Sequence, residues 1–211
     1  MGAGKSTLAQ AFVAHDPRFC RAAFADQVKH IATTLFGMDP AQKDRPLLQA
    51  VGTKMREVDK DVWIDYVLKR GEAAGRSHVV VDDVRYANEA YALKRAGFVL
   101  IAIEIDAAQQ LERLKACYPS TWEQHYQCRE HSSEQGGGGT VAAMADVAVQ
   151  ADSISTPSKL AAFVQSVVDE TADRGALCPS PGPITPACAI HYDDGKHSTS
   201  KKALSSASSA L

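Results

Sequence analysis

The spacing of apolar residues predicts helices alternating with short, fully buried strands. Leu8, Ala9 and Phe12 fall on one face of a helix over Lys5–His15. Ala22–Ala25 is a short apolar stretch, read as the end of a buried strand. Val28, Ile31, Ala32 and Leu35 predict a helix running to Phe36, with Asp26 as its N-cap, Gly37 as its stop and a turn at Asp39-Pro40. Two more helices are expected over Arg45–Val58 and from Asp61 to about Ala74. Val79-Val80-Val81 is wholly apolar and ends in Asp82, the pattern of a strand covered on both faces in a parallel sheet. A helix over Asn88–Ala96, stopped by Gly97, leads to a second such strand, Phe98–Ile103. Ala107 to about Cys117 is helical, Asp146–Val149 is a short strand, and Ser158 to about Glu170 closes the pattern as a helix. Leu160, Phe163, Val164 and Val167 form its core face.

Strands alternating with helices predict an α/β fold built on an open parallel sheet. Pro119–Thr140 interrupts the pattern: it is polar and carries four consecutive glycines, so a mobile surface segment is expected there. Beyond Thr171 the texture changes to a proline-rich stretch and a Ser/Lys/Ala-rich end, read as disordered. The expected organisation is one domain over 1–171 and a tail over 172–211. An apolar fraction of 45% in 211 residues suffices for a sizeable core. A net charge of −2 and a pI near 6.4 give no global electrostatic case for nucleic acid or an anionic membrane. No apolar run approaches the roughly 18 residues of a membrane helix. The five scattered cysteines do not suggest a disulfide framework, so a cytoplasmic protein is expected.

The chemistry begins at the first residues. Gly4-Lys5-Ser6-Thr7 matches the second half of the phosphate-binding motif G-x-x-x-x-G-K-[ST]. Backbone N–H groups of Gly2, Ala3, Gly4 and the following helix start would cradle phosphate oxygens. Lys5 would reach the β and γ phosphates, Ser6 would hold Mg²⁺, and Thr7 would complete the loop. Asp82 and Asp83, at the end of an apolar strand, are candidate metal carboxylates beside Ser6. The motif's first glycine and its feeding strand would fall upstream of Met1. The expectation is therefore that Met1 is an internal methionine of a longer protein.

Further segments occur in a characteristic order: Phe24-Ala25-Asp26-Gln27-Val28-Lys29, then Arg45 through Arg56, Asp61-Val62-Trp63-Ile64, Asp83-Val84-Arg85-Tyr86-Ala87-Asn88-Glu89 and His131-Ser132-Ser133-Glu134. Together they resemble the deoxynucleoside monophosphate kinases of tailed phages and prophages, over about residues 2–170. The resemblance implies a P-loop three-layer sandwich with a helical lid over about 117–140. It further implies ATP and Mg²⁺ as cofactors and phosphoryl transfer onto a deoxynucleoside monophosphate. The strand before the loop would be central in that sheet, and missing from this chain.

Residue chemistry agrees with such a reaction. The acceptor is already an ionised phosphate, so the need is for cations that hold two polyanions in line. Arg45, Arg56 and Arg85 are the natural supply, because guanidinium forks match phosphate oxygens. By resemblance, Arg45, Gln49, Thr53 and Arg56 would line the monophosphate site, and Arg85 and Asn88 would stand beside Asp83. Asp26 and Lys29 are further candidates for that cleft, though Asp26 is equally explained as a cap. Trp63 and Tyr66 either stack on a base or pack in the core; core packing is the simpler reading, and Trp63 stays among the candidate contacts. Arg113 and Arg129 flank the lid, and Arg129 is a candidate clamp on the transferring group. Cys117, His125, Cys128 and His131 lack the C-x-x-C pair of a zinc staple. A homodimer is compatible with the reading. The competing readings are another small-molecule P-loop kinase, acting on phosphomevalonate or dephospho-coenzyme A, and an inactive nucleotide-binding remnant.

Overall fold

The computed structural model describes residues 2–73, 78–127, 138–175 and 187–193. In chain order the elements are α1 (Lys5–His15), β1 (Phe19–Ala22), α2 (Phe24–Phe36), α3 (Arg45–Val58), α4 (Val62–Ala73), β2 (His78–Val81), α5 (Ala87–Arg95) and β3 (Phe98–Glu104). They continue with α6 (Ala107–Cys117), α7 (Trp122–Gln127), α8 (Gly138–Ala143), β4 (Val147–Gln150), a 3₁₀ turn (Ala151–Ile154), α9 (Pro157–Gly175) and β5 (Ala187–Asp193). All strand pairs are parallel, and the sheet order is β1-β2-β5-β3-β4. The chain is thus an α/β protein with a five-stranded parallel sheet. Among the described residues, no helix is long and apolar enough to cross a membrane.

The apolar strands alternate sides in the manner a pleat requires. Val79, Val81, Phe98, Leu100 and Ala189 face one core, shared with Val28, Trp63, Val67 and Leu93 from α2, α4 and α5. Val80, Ile101, Ile103 and Ile190 face the other, shared with Leu8 and Phe12 of α1 and Val164 and Val167 of α9. Helices therefore cover both faces, which is why these strands read as unbroken apolar runs.

The centre of the sheet departs from the sequence expectation. Residues 187–193 fall within the stretch read as a disordered tail, yet they form β5 and stand between β2 and β3. Val79, Val80 and Val81 pair with Ala187, Cys188 and Ala189, and Phe98 through Glu104 pair with Ala187 through Asp193. The central place expected to be vacant is filled from the far end of the sequence. Ala187–Ala189 pair on both sides and Ile190–Asp193 with β3 alone, and this pairing outweighs the poor strand character of the proline-rich surroundings.

Other differences are smaller. The helix expected after Asp26 starts at Phe24, so Asp26 lies in its first turn and is not its N-cap. Pro119–Thr140, expected from its composition as a mobile surface segment and by resemblance as part of a helical lid, contains α7 and the start of α8. The last helix runs past Glu170 to Gly175.

Candidate functional site

Connectivity fixes where chemistry collects. The end of α1 leads directly into β1, so the helix starts at the carboxyl edge of the parallel sheet. The chain also leaves β1 and β2 at that edge to enter α2 and α5, whose N-termini therefore lie there too. Carboxyl edges of open parallel sheets are where such folds place ligands.

Gly2 has φ 79° and Gly4 has φ 94°, left-handed values that favour glycine. Gly4 is the N-cap of α1 and has no side chain with which to cap it. Ala3 is buried, Lys5 is half-buried, and Ser6 and Thr7 are exposed. Ala3, Gly4 and Thr7 share a cavity of about 640 Å³ with Arg113, Ala151 and Ser155. Arg113 is held there by the Ala151 carbonyl at 3.3 Å and Asp152 at 3.2 Å.

A second cleft, of about 740 Å³, opens between α2, α3 and the β2–α5 connection. Of the candidates, Lys29, Gln49, Thr53, Arg56, Asp83 and Arg85 line it. Its apolar part comes from Phe24, Val28 and Leu48, and its charged part sets three cations against Asp83 and Glu89.

Four candidates are not among its lining residues. Trp63 is buried at 2% exposure, and its indole N–H donates to the Gly52 carbonyl at 3.2 Å, so it packs in the core. The Asn88 amide donates to Asp61 Oδ1 at 3.1 Å and joins α5 to the start of α4. Asp26 stands between Arg21 at 3.6 Å and Lys29 at 3.5 Å. Arg45 is the half-buried first residue of α3. Arg129, Cys128 and His131 lie outside the described residues, and the side chain of His125 is likewise not described. Among the described residues no group of three or more His, Cys, Asp or Glu is arranged to hold a metal ion.

The two strand-end carboxylates differ sharply. Asp83 accepts the backbone N–H of Phe24 at 3.0 Å on one oxygen and that of Ala25 at 2.9 Å on the other. Burial pushes its pKa up to about 6, the two backbone donors oppose that, and the charges of Asp82 and Glu89 add to it. Asp82 is buried at 3% exposure, and its Oδ1 lies 2.7 Å from Arg21 Nη2. That contact is an ion pair by distance without hydrogen-bond alignment, and Oδ1 has no hydrogen-bond partner. A carboxylate oxygen is the donor type a magnesium ion uses, but at this one the Arg21 cation already supplies the countercharge. Asp83, with both oxygens taken by amides, is the poorer fit.

Three residues that reasoning from the sequence did not single out shape this region. Arg21 reaches Asp82 from β1. Glu89 is buried at 2% exposure and accepts from Arg56 at 2.9 Å. The Tyr86 ring lies 4.6 Å from the Arg56 guanidinium. A glutamate three residues into a helix is a known capping signal, but the arginine it meets is 33 positions away. No protein-family model matches this chain, and neither does any curated protein or solved structure with which it was compared.

Proposed function

We propose that this chain is a P-loop kinase that transfers the γ-phosphoryl group of ATP to a deoxynucleoside monophosphate. The observation that carries the reading is the placing of Lys29, Arg56 and Arg85 around one cleft at the same sheet edge as the Gly2–Thr7 loop. Two polyanions need two cationic cradles, which the loop with Lys5 and the cleft with Lys29, Arg56 and Arg85 would supply.

In the proposed reaction an oxygen of the acceptor monophosphate bonds to the γ-phosphorus. The bond from that phosphorus to the β–γ bridging oxygen breaks, and ADP leaves with the electron pair. The loop amides and Lys5 bind the donor's phosphates, and Arg113 faces the donor side through the cavity it shares with Gly4. Arg56, Arg85 and Lys29 bind and orient the acceptor's phosphate. When bound, magnesium would neutralise charge on the donor phosphates, with Asp82 and Ser6 as the residues to hold it. No general base is needed, because the acceptor oxygen is already ionised.

A coupled ADP-release assay over dAMP, dCMP, dGMP and dTMP tests the reading. Phosphomevalonate and dephospho-coenzyme A belong in the same panel. Turnover with at least one deoxynucleotide is expected. Turnover with another acceptor alone, or with none, overturns it.

A further inference from the structure

Glu89 does more than close its own helix. Its Oε2 accepts the backbone N–H groups of Arg85 at 2.9 Å and Tyr86 at 3.1 Å, which satisfies the start of α5. A cap needs no more than that, and glutamates in such caps can stay in water. Here the side chain is buried, and Oε1 receives Arg56 Nη2 at 2.9 Å from α3, across the cleft.

Arg56 is held on further sides. Its Nη1 donates to the Gly52 carbonyl at 3.3 Å, and that carbonyl also accepts the Trp63 indole N–H at 3.2 Å. Tyr86 stacks on the guanidinium at 4.6 Å. The Arg56 side chain remains 28% exposed and lines the cleft. A guanidinium carries five N–H donors in a rigid plane, and these hydrogen bonds use two of them. The rotamer freedom of a long side chain is lost before any ligand arrives, so it does not count against binding.

We infer that Glu89 is a positioning residue, which fixes the Arg56 fork for the phosphate of the acceptor nucleotide. The inference rests on the kinase reading above. Glu89 offsets part of the positive charge of Arg56, so its contribution is orientation, while Lys29 and Arg85 keep the cleft cationic. Glu89→Gln separates the two duties. The amide oxygen can still accept from Arg85 and Tyr86, but its NH₂ then faces a donor-only guanidinium. Arg56→Lys makes the complementary change, keeping charge and losing the fork.

The test is calorimetric titration of the full chain with dAMP, dCMP, dGMP and dTMP without ATP, joined to steady-state kinetics. Glu89→Gln should weaken the tightest of the four about tenfold or more, in line with loss of a bidentate charge-assisted contact. KM for that nucleotide should rise far more than kcat falls. Arg56→Lys should give a similar loss, and the double variant should be no worse than either single one. Unchanged affinity in Glu89→Gln with only a lowered melting temperature would show a structural cap and overturn the inference. So would additive losses, or full affinity in Arg56→Lys. If the unsubstituted chain binds none of the four nucleotides, the kinase reading fails first and takes this inference with it.

Discussion

Asp83 caps a helix from 59 positions away: one of its carboxylate oxygens accepts the backbone N–H of Phe24 at 3.0 Å, and the other takes the next amide, that of Ala25. The end of β2 is thereby tied to the start of α2, and the cleft lies between them. Asp83→Ala should destabilise the protein by about 1–2 kcal/mol, the usual cost of losing a side-chain cap. Urea unfolding measures it. A change within about 0.5 kcal/mol, the range of a neutral surface substitution, would show the cap to be idle.

Lys5 follows the left-handed Gly4 and is half-buried at the start of α1. Under the kinase reading, Lys5→Ala should lower turnover by roughly a hundredfold or more, the scale of losing one preorganised charge contact in phosphoryl transfer. Circular dichroism and thermal melting should stay close to those of the parent chain. Retained turnover would refute the role given to Lys5.

His78 opens β2 and is buried, with its ring 4.8 Å from that of Phe19. Burial lowers its pKa below the model-peptide value of 6.5, the Arg18 cation adds to this, and Asp16 works against it. The folded state therefore binds this proton less readily than the unfolded state. Its contribution to stability is complete above 6.5 and is lost as the pH falls through 6.5 towards the lower folded value. Urea midpoints measured from about pH 7.5 down to about pH 5, the span in which histidine titrates, should fall less steeply for His78→Asn. Equal slopes in the two proteins would contradict this.

Ile190 is fully buried in β5, in the core that Leu8 and Phe12 also fill. Ile190→Ala should cost about 2–4 kcal/mol, as core truncations do. If β5 were a loosely attached strand the loss would stay near the ~0.5 kcal/mol of a surface change. Denaturant titration separates the two.

What the sequence reveals depends on how local the cause is. Val79–Val81 and Phe98–Ile103 were legible because a strand covered on both faces needs an unbroken apolar run. The limits of Arg45–Val58 were legible because Asp44 caps it through the Leu47 amide at 3.0 Å and Pro46 favours a first turn. The sequence points to Asp26 as the start of α2, because the acid that caps the helix is Asp83, in the β2–α5 connection. β5 was hidden for the same kind of reason. Its neighbours in sequence are prolines, and its strand character comes from β2 and β3 on either side. At the site, the loop and the cleft arginines stand out by residue type. The pairing of Glu89 with Arg56 and of Asp82 with Arg21 does not, since each joins elements that only the fold brings together.

The place of β5 also sets a clock. A ribosome that adds roughly 5–20 residues per second finishes β2 about 5–20 s before it finishes β5. Through that interval β2 and β3 have no partner on their facing edges, and the nascent chain carries two half-sheets that cannot yet join. Such edges invite pairing with other chains. Recovery of this protein from cells should therefore depend on how quickly synthesis reaches its last strand and on the chaperones that shield the two halves until it does.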